Sequence, residues 1–249
     1  MPEDGNLKKW YALEADITTC RICPRLVAWR EEVATNRRRA YRDWEYWGKP
    51  VPGFGDHHAR LLVVGLAPGA HGSNRTGRMF TGDASGDFLY RALWKTGFAN
   101  RSAAINRDDD LQLIDVFITA VGRCAPPDNR PTPQELDSCR HFLLAEIDLL
   151  KHVQGVIALG AIAFEQLLGI YRAQGAAVGR PTFQHGQYVQ LGEGHPWMLA
   201  SYHPSRQNTQ TGRLTMEMFD GIWLRARQLL DASEVPSGKD INTDSQCGE

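Results

Sequence analysis

The 249-residue chain contains no run approaching the ~20 consecutive apolar residues that a membrane-crossing helix needs. Its opening, MPEDGNLKKW, has no apolar segment of the kind that directs secretion. Together these absences lead to the expectation of a cytoplasmic chain with no membrane partner. No internal repeat is visible. Cysteine is sparse, five in all, and in a reducing compartment short cysteine spacings point to metal or redox chemistry rather than to disulfides. Neither sign of charge dominates: the formal net charge is −1. The distribution is uneven, however. The tail from Asp231 to Glu249 holds five acids and one base, which leaves +3 on residues 1–230. A mildly basic body permits nucleic-acid binding without requiring it.

What is present reads as alternating strands and helices. A helix entered near Leu7 is interrupted at Cys20–Pro24. The continuous apolar run at Arg60–Gly65 reads as a buried parallel strand, and Ile114–Val121, Val153–Leu159 and Trp197–Tyr202 read as further strands. Thr182–Leu191 alternates like an exposed strand. Thr132 is placed to cap a helix that begins at Pro133. Further helices are expected from about Gly86 to Leu93, after Leu159 through Leu168, and over Leu214–Leu230. This order implies an α/β fold, a mainly parallel sheet with helices on both faces, in a single domain over residues 1–230 followed by a disordered acidic tail, 231–249. Residues 29–58 interleave Arg30, Arg37, Arg38, Arg39, Arg42 and Lys49 with Trp29, Tyr41, Trp44, Tyr46 and Trp47. That composition suits stacking on bases. The favoured reading is a solvated basic helix whose aromatic rings pack on the body.

Four cysteines carry a possible metal site. Cys20 and Cys23 form a C-x-x-C, Cys124 follows a strand, and Cys139 falls early on a helix. Four thiolates could hold zinc or an iron–sulfur cluster, and the spacing does not choose between them. Cys247, in the tail, reads as a bystander.

Two loops leave strand ends, where ligands bind in such sheets. The first, Gly65–Gly86, is rich in glycine but is neither a Walker A loop nor a G-x-G-x-x-G fingerprint. Its backbone amides can approach a ligand closely. Phe80 could stack on a flat ring or belong to the core. Asp83, the only acid before Asp87, could be a working carboxylate or the cap of the next helix. The second loop, His203-Pro204-Ser205-Arg206-Gln207-Asn208, offers an imidazole at a strand end and polar residues suited to phosphates and base edges.

Taken together, these motifs resemble family 5 of the uracil-DNA glycosylases, the iron–sulfur type of thermophiles and actinobacteria. The resemblance rests on Gly-Leu-Ala-Pro with Arg-Thr-Gly-Arg-Met-Phe-Thr-Gly-Asp in the first loop, on the stretch from His203 to Thr215, and on the cysteines with Arg-Cys124-Ala-Pro-Pro. It covers roughly residues 10–230. It implies a three-layer α/β/α sandwich around four mainly parallel strands, and a largely structural [4Fe–4S] cluster on Cys20, Cys23, Cys124 and Cys139. DNA is the implied partner and a monomer in the bacterial cytoplasm, at the nucleoid, the implied state. The related family 4 has a glutamate at the position of Leu66 and a uracil-reading asparagine at that of Ala120. Their replacement implies tolerance of hypoxanthine and xanthine beside uracil. Gly69 stands where family 5 often has alanine.

The implied reaction hydrolyses the N-glycosidic bond of a flipped base and leaves an abasic site. Asp83 and His203 are the expected catalytic pair, Asp83 facing the cationic sugar and His203 the departing base. Gly65, Leu66, Ala67, Gly69, Phe80 and Ala120 would surround the base. Ser205, Arg206, Gln207 and Asn208 would contact DNA. Neither loop contains a lysine, so a Schiff-base lyase is not expected. A non-catalytic iron–sulfur module that binds damaged DNA is the main alternative.

Overall fold

The computed structural model describes residues 2–232. The expectations for the acidic tail and Cys247 lie outside the described residues. Helices α1 (Pro2–Thr19) and α2 (Pro24–Thr35) come first, followed by β1 (Phe54–Gly55) and β2 (Leu61–Gly65). The loop after β2 carries the short helix α3 (Ser73–Thr76) and leads into α4 (Ala84–Lys95). Then come β3 (Val116–Ala120), α5 (Pro133–Leu149), β4 (Gly155–Leu159), α6 (Ala161–Ala173), β5 (Tyr188–Gln190) and β6 (Trp197–Ser201). Helices α7 (Arg206–Gln210) and α8 (Met216–Ala232) complete the described chain.

The sheet has the order β1-β3-β2-β4-β6-β5. Its four central strands, β3, β2, β4 and β6, are parallel, as their apolar runs require. Two short antiparallel strands, β1 and β5, extend the edges, so the sheet is six strands wide rather than four. The exposed strand expected over Thr182–Leu191 shrinks to three residues because only Tyr188–Gln190 pairs with β6.

All five residues of each parallel strand are buried, and successive side chains serve opposite cores. Leu61 and Val63 pack with Leu89 and Leu93 of α4 and Phe219 and Trp223 of α8. Leu62 and Val64 pack with Trp10 of α1, Leu143 of α5 and Phe164 and Leu167 of α6. The result is the three-layer sandwich. Helix α5 starts on a complete capping box: Glu135 N donates to Thr132 Oγ1 (3.2 Å) and Thr132 N to Glu135 Oε2 (2.8 Å).

The basic stretch after Trp29 departs from the expected long helix. Helix α2 stops at Thr35, and residues 36–53 run over the body with one 3-10 turn at Arg39–Tyr41. Strand β2 lies at the sheet's centre, with β3 on one side and β4 on the other. Successive strands are added on opposite sides of β2, so the loop after β2 opens at the topological switch point.

Candidate active site

Loops from the carboxyl ends of β2, β4 and β6 converge. The rings of Phe80 and His203 lie 5.8 Å apart at an interplanar angle of 29°. A Cβ on Gly160, just after β4, would stand 3.5 Å from His203 Cβ.

The first loop begins rigidly. Gly65 O accepts from Val121 N (3.0 Å) and Leu66 O from Gly122 N (2.8 Å), which prolongs the β2–β3 ladder beyond the strands. Ala120, paired with Gly65, is buried in the same apolar cluster as Phe80. Phe80 takes a left-handed backbone conformation, φ 51°, which is uncommon for an aromatic residue. Tyr90 Oη fixes the preceding carbonyl, that of Met79, at 2.8 Å. The Phe80 ring then lies on the Gly65 backbone, where a Cβ would meet it at 2.8 Å. Phe80 is thus a core residue whose ring floors the start of the loop.

Asp83 also fills two roles. It is the N-cap of α4, with Oδ1 accepting from Ser85 N (3.0 Å) and Gly86 N (3.1 Å). The other oxygen, Oδ2, faces the loop floor. A Cβ on Gly72 would lie 2.0 Å from it, and one on Gly69 2.9 Å. Among the described residues Oδ2 takes no hydrogen bond. Burial raises the carboxyl above its ordinary 3.8, while the capping amides and the Arg75 charge pull the other way.

His203 follows β6 by two residues. Burial lowers its imidazole from 6.5 to about 4, so near pH 7 it is neutral, with one N–H donor. Asn208 Nδ2 donates to His203 O (2.9 Å), and Ser205 Oγ accepts from Asn208 N (3.3 Å) to cap α7. Ser205 and Asn208, expected at DNA, thus brace the histidine turn. Arg206 and Gln207 project from it, exposed. A further brace was not legible in the sequence. His185 Nδ1 accepts from Tyr202 N (3.2 Å), while Nε2 donates to Met218 O (3.2 Å).

Arg75 is a second residue missed in the sequence. Only 3% exposed, it lies between the rings of Tyr41 and Trp44, 4.1 Å from each centroid. The aromatic residues of the basic stretch thus pack on the body, as the favoured reading had it. Tyr46 hydrogen-bonds His71 Nδ1 (3.1 Å), and Trp47 covers Gly77.

The four cysteines form a separate centre. Cys20 follows α1, Cys23 caps α2, Cys124 follows β3 and Cys139 lies on α5. All four line one cavity, closed by Ile22, Leu26, Val27, Pro50 and Phe142. Arg30, buried, donates from Nη1 to Cys124 Sγ (2.9 Å), and Arg123 N donates to Cys139 Sγ (3.3 Å). Among the described residues no group of three or more His, Cys, Asp or Glu side chains is arranged to hold a metal ion. Four soft sulfur donors do line one small cavity, with N–H groups aimed at two of them, and that donor chemistry suits an iron–sulfur group.

Beneath it lies a buried ion pair. Arg123 Nη2 and Glu146 Oε2 are 2.6 Å apart at 1% and 2% side-chain exposure. Thr119 Oγ1 donates to the same oxygen (2.6 Å), and Gly53 N to Glu146 Oε1 (3.2 Å).

Comparison with known proteins agrees with this geometry. The profile of the Uracil DNA glycosylase superfamily matches residues 52–227. The chain is 54% identical to a type-5 uracil-DNA glycosylase of Thermus thermophilus, over 86% of this chain and 94% of that one. It is 50% identical to one of Mycobacterium bovis, over 87% and 80%. A type-4 uracil-DNA glycosylase of Pyrobaculum aerophilum is 35% identical over 54% of this chain and 61% of its own. The chain belongs to the uracil DNA glycosylase superfamily.

Proposed function

We propose that this protein removes uracil, and with it hypoxanthine and xanthine, from DNA by hydrolysing the N-glycosidic bond of a flipped base. The observation that carries this is the divided Asp83 carboxylate. One oxygen is spent on a helix cap and the other faces the glycine floor of the loop that also presents Phe80, beside His203. Relatives named as type-5 uracil-DNA glycosylases, alike over most of both chains, support it.

A base inside a duplex is out of reach, so it must leave the stack. Phe80 offers it a fixed aromatic surface. Bond cleavage puts positive charge on the sugar and negative charge on the leaving base. Asp83 Oδ2, ionised, stabilises the first and orients the attacking water. The N–H of neutral His203 donates to the base carbonyl where the second develops. Leu66 and the buried Ala120 place no acceptor or donor against the base edge, which favours breadth over strict uracil selection. With no lysine in either loop, no covalent imine forms and the product is an intact abasic site. Exposed Arg206 and Gln207 are placed to reach the DNA around the flipped nucleotide.

Cys20, Cys23, Cys124 and Cys139 would hold a [4Fe–4S] cluster. When bound, that group would cross-link α1, α2, the loop after β3, and α5. No step of the reaction uses it.

Duplexes with one uracil, hypoxanthine or xanthine, incubated with protein and then treated with alkali, test the proposal. Strand breaks that need alkali and disappear in Asp83→Asn are the expected result. Binding to damaged duplex without base release would replace it with a non-catalytic binding module. Release of uracil alone would remove the two purines.

A further inference from the structure

We propose that Arg75 is a positioning residue for Asp83, held in a clamp formed by Tyr41 and Trp44. The inference rests on Asp83 being the working carboxylate, and it adds the device that keeps Asp83 in place.

Arg75 ties together the two stretches of loop that meet at Asp83 Oδ2. Its Nε donates to His71 O (2.7 Å), one residue before Gly72. Its Nη2 donates to Gly82 O (2.7 Å), one residue before Asp83. Gly72 and Asp83 are the pair in closest approach across the floor. One rigid planar group thus sets the separation of both sides of that contact. The approach is tight on the Gly82 side too, where a Cβ would meet Arg75 Nη2 at 2.5 Å.

The charge is not explained by stability. Arg75 forms no ion pair among the described residues, although it is 3% exposed, and its Nη1 is buried without a hydrogen-bond partner. A buried cation lacking an anion is costly, and an apolar side chain of that length would fill the same slot between two rings. Two π faces and two carbonyls offset part of the cost. What the cation adds is a positive field at the loop, and that field favours the ionised form of Asp83 against the burial that opposes it.

The clamp also gives the segment after α2 a place in the site. Tyr41 and Trp44 are half-buried and come from a stretch whose arginines, Arg37, Arg38, Arg39 and Arg42, are exposed. These rings close over Arg75 and deny it to solvent and DNA alike.

The test compares Arg75→Met, Arg75→Lys and Trp44→Leu with wild type in the full chain, on a uracil duplex. The readings are kcat, KM, the acid limb of the pH profile and Tm. Arg75→Met should lower kcat about tenfold or more at unchanged KM, because a displaced carboxylate costs turnover rather than binding. Its acid limb should move to higher pH. Arg75→Lys keeps the charge and should return the limb toward wild type while recovering only part of kcat. Trp44→Leu, which loosens the clamp from its half-exposed side, should lower kcat by a smaller factor, and it carries the test if Arg75→Met does not fold. An unmoved acid limb in Arg75→Met with reduced Tm would reduce Arg75 to a scaffold residue. A change confined to KM would make it a DNA contact. Either overturns the proposal, as does unaltered kcat in Trp44→Leu. If wild type releases no base, the catalytic reading of Asp83 fails separately. The titration of the Asp83 carboxyl by 13C NMR, assigned by its loss in Asp83→Asn, then reads the Arg75 effect without turnover.

Discussion

Asp83 Oδ2 sits 2.0 Å from where a Cβ on Gly72 would stand. A methyl group there must push the carboxylate off the loop floor, and because Oδ1 is anchored on two amides of α4, the side chain has little room to yield. Gly72→Ala should therefore lower single-turnover base release about tenfold or more. Affinity for a damaged duplex, read by fluorescence anisotropy, should change little. Wild-type turnover in Gly72→Ala would show that Oδ2 need not stay where it is.

The two jobs of Asp83 can be separated. Asparagine is as good an N-cap as aspartate, whereas alanine costs about 1 kcal/mol of helix stability. Asp83→Asn should keep its Tm, Asp83→Ala should lose a few degrees, and both should lose roughly 10²–10³ in kcat. Equal activity in the two variants and wild type, by alkali-dependent strand cleavage, would remove Asp83 from the chemistry.

The proposed mechanism requires the Asp83 carboxyl ionised, and burial weakens its acidity. Protonation therefore begins at higher pH than for a free aspartate at 3.8. The acid limb of kcat against pH should lie above that value, with activity rising as pH rises through it. A limb at or below it would contradict the assigned burial.

His203 titrates near 4 in the folded chain against 6.5 ordinarily. Two signs follow. No inflection of kcat near 6.5 should come from His203, because its neutral form, the donor in the proposed mechanism, persists down to about 4. In the unfolded chain the same imidazole takes up a proton as pH falls through 6.5, while in the folded chain it does not. Its stabilising contribution is thus full above 6.5 and fades as pH falls toward 4. Wild type should lose more Tm over that interval than His203→Gln. Parallel losses would show the ring to be solvated.

Much of the fold was legible because it is dictated by burial. Leu61–Val64, Val116–Ile118, Val156–Leu159 and Met198–Ala200 are apolar on both faces, a pattern only a covered parallel strand explains. Thr132 and Pro133 announced the start of α5 at its observed place. Of the edges, β1 was not legible, since two residues at Phe54–Gly55 carry no period, and β5 was read from its alternation but too long, since only Tyr188–Gln190 pairs. In the site, Asp83 and His203 stood out as titratable groups at strand ends. Arg75 did not, because its partners Tyr41 and Trp44 are more than thirty positions upstream and its other bonds go to backbone carbonyls. His185 escaped for the same reason: it meets Tyr202 N and Met218 O only through tertiary folding.

The cysteine centre is checked by colour and by heat. Protein purified without oxygen should be brown, with broad absorption near 400 nm, and should contain iron and acid-labile sulfide. Cys139→Ser should bleach it and lower Tm, since the four cysteines stand after α1, before α2, after β3 and on α5, which a bound cluster would tie together. A colourless protein containing one zinc would reject the cluster.

Glu146 and Arg123 should show the signature of a buried pair. Glu146→Gln or Arg123→Met alone should cost roughly 3–5 kcal/mol in urea denaturation, because each strands a desolvated partner. The double variant should recover much of that loss. Strictly additive losses would mean that the two are not coupled.

The divided carboxylate at position 83 also constrains how this chain can change over generations. Selection for folding and selection for activity usually pull on different residues, and activity commonly decays through substitutions that leave the body intact. Here one atom holds a helix while its neighbour, on the same carbon, is the one the proposed mechanism sets against the sugar. A lineage that abandons base removal but keeps the protein as a reader of damage would still have to terminate α4. Asparagine, serine or threonine would then be found at this position, and alanine would be rare. The residue standing there in a distant descendant is thus a record of whether its ancestors stopped cutting while they went on folding.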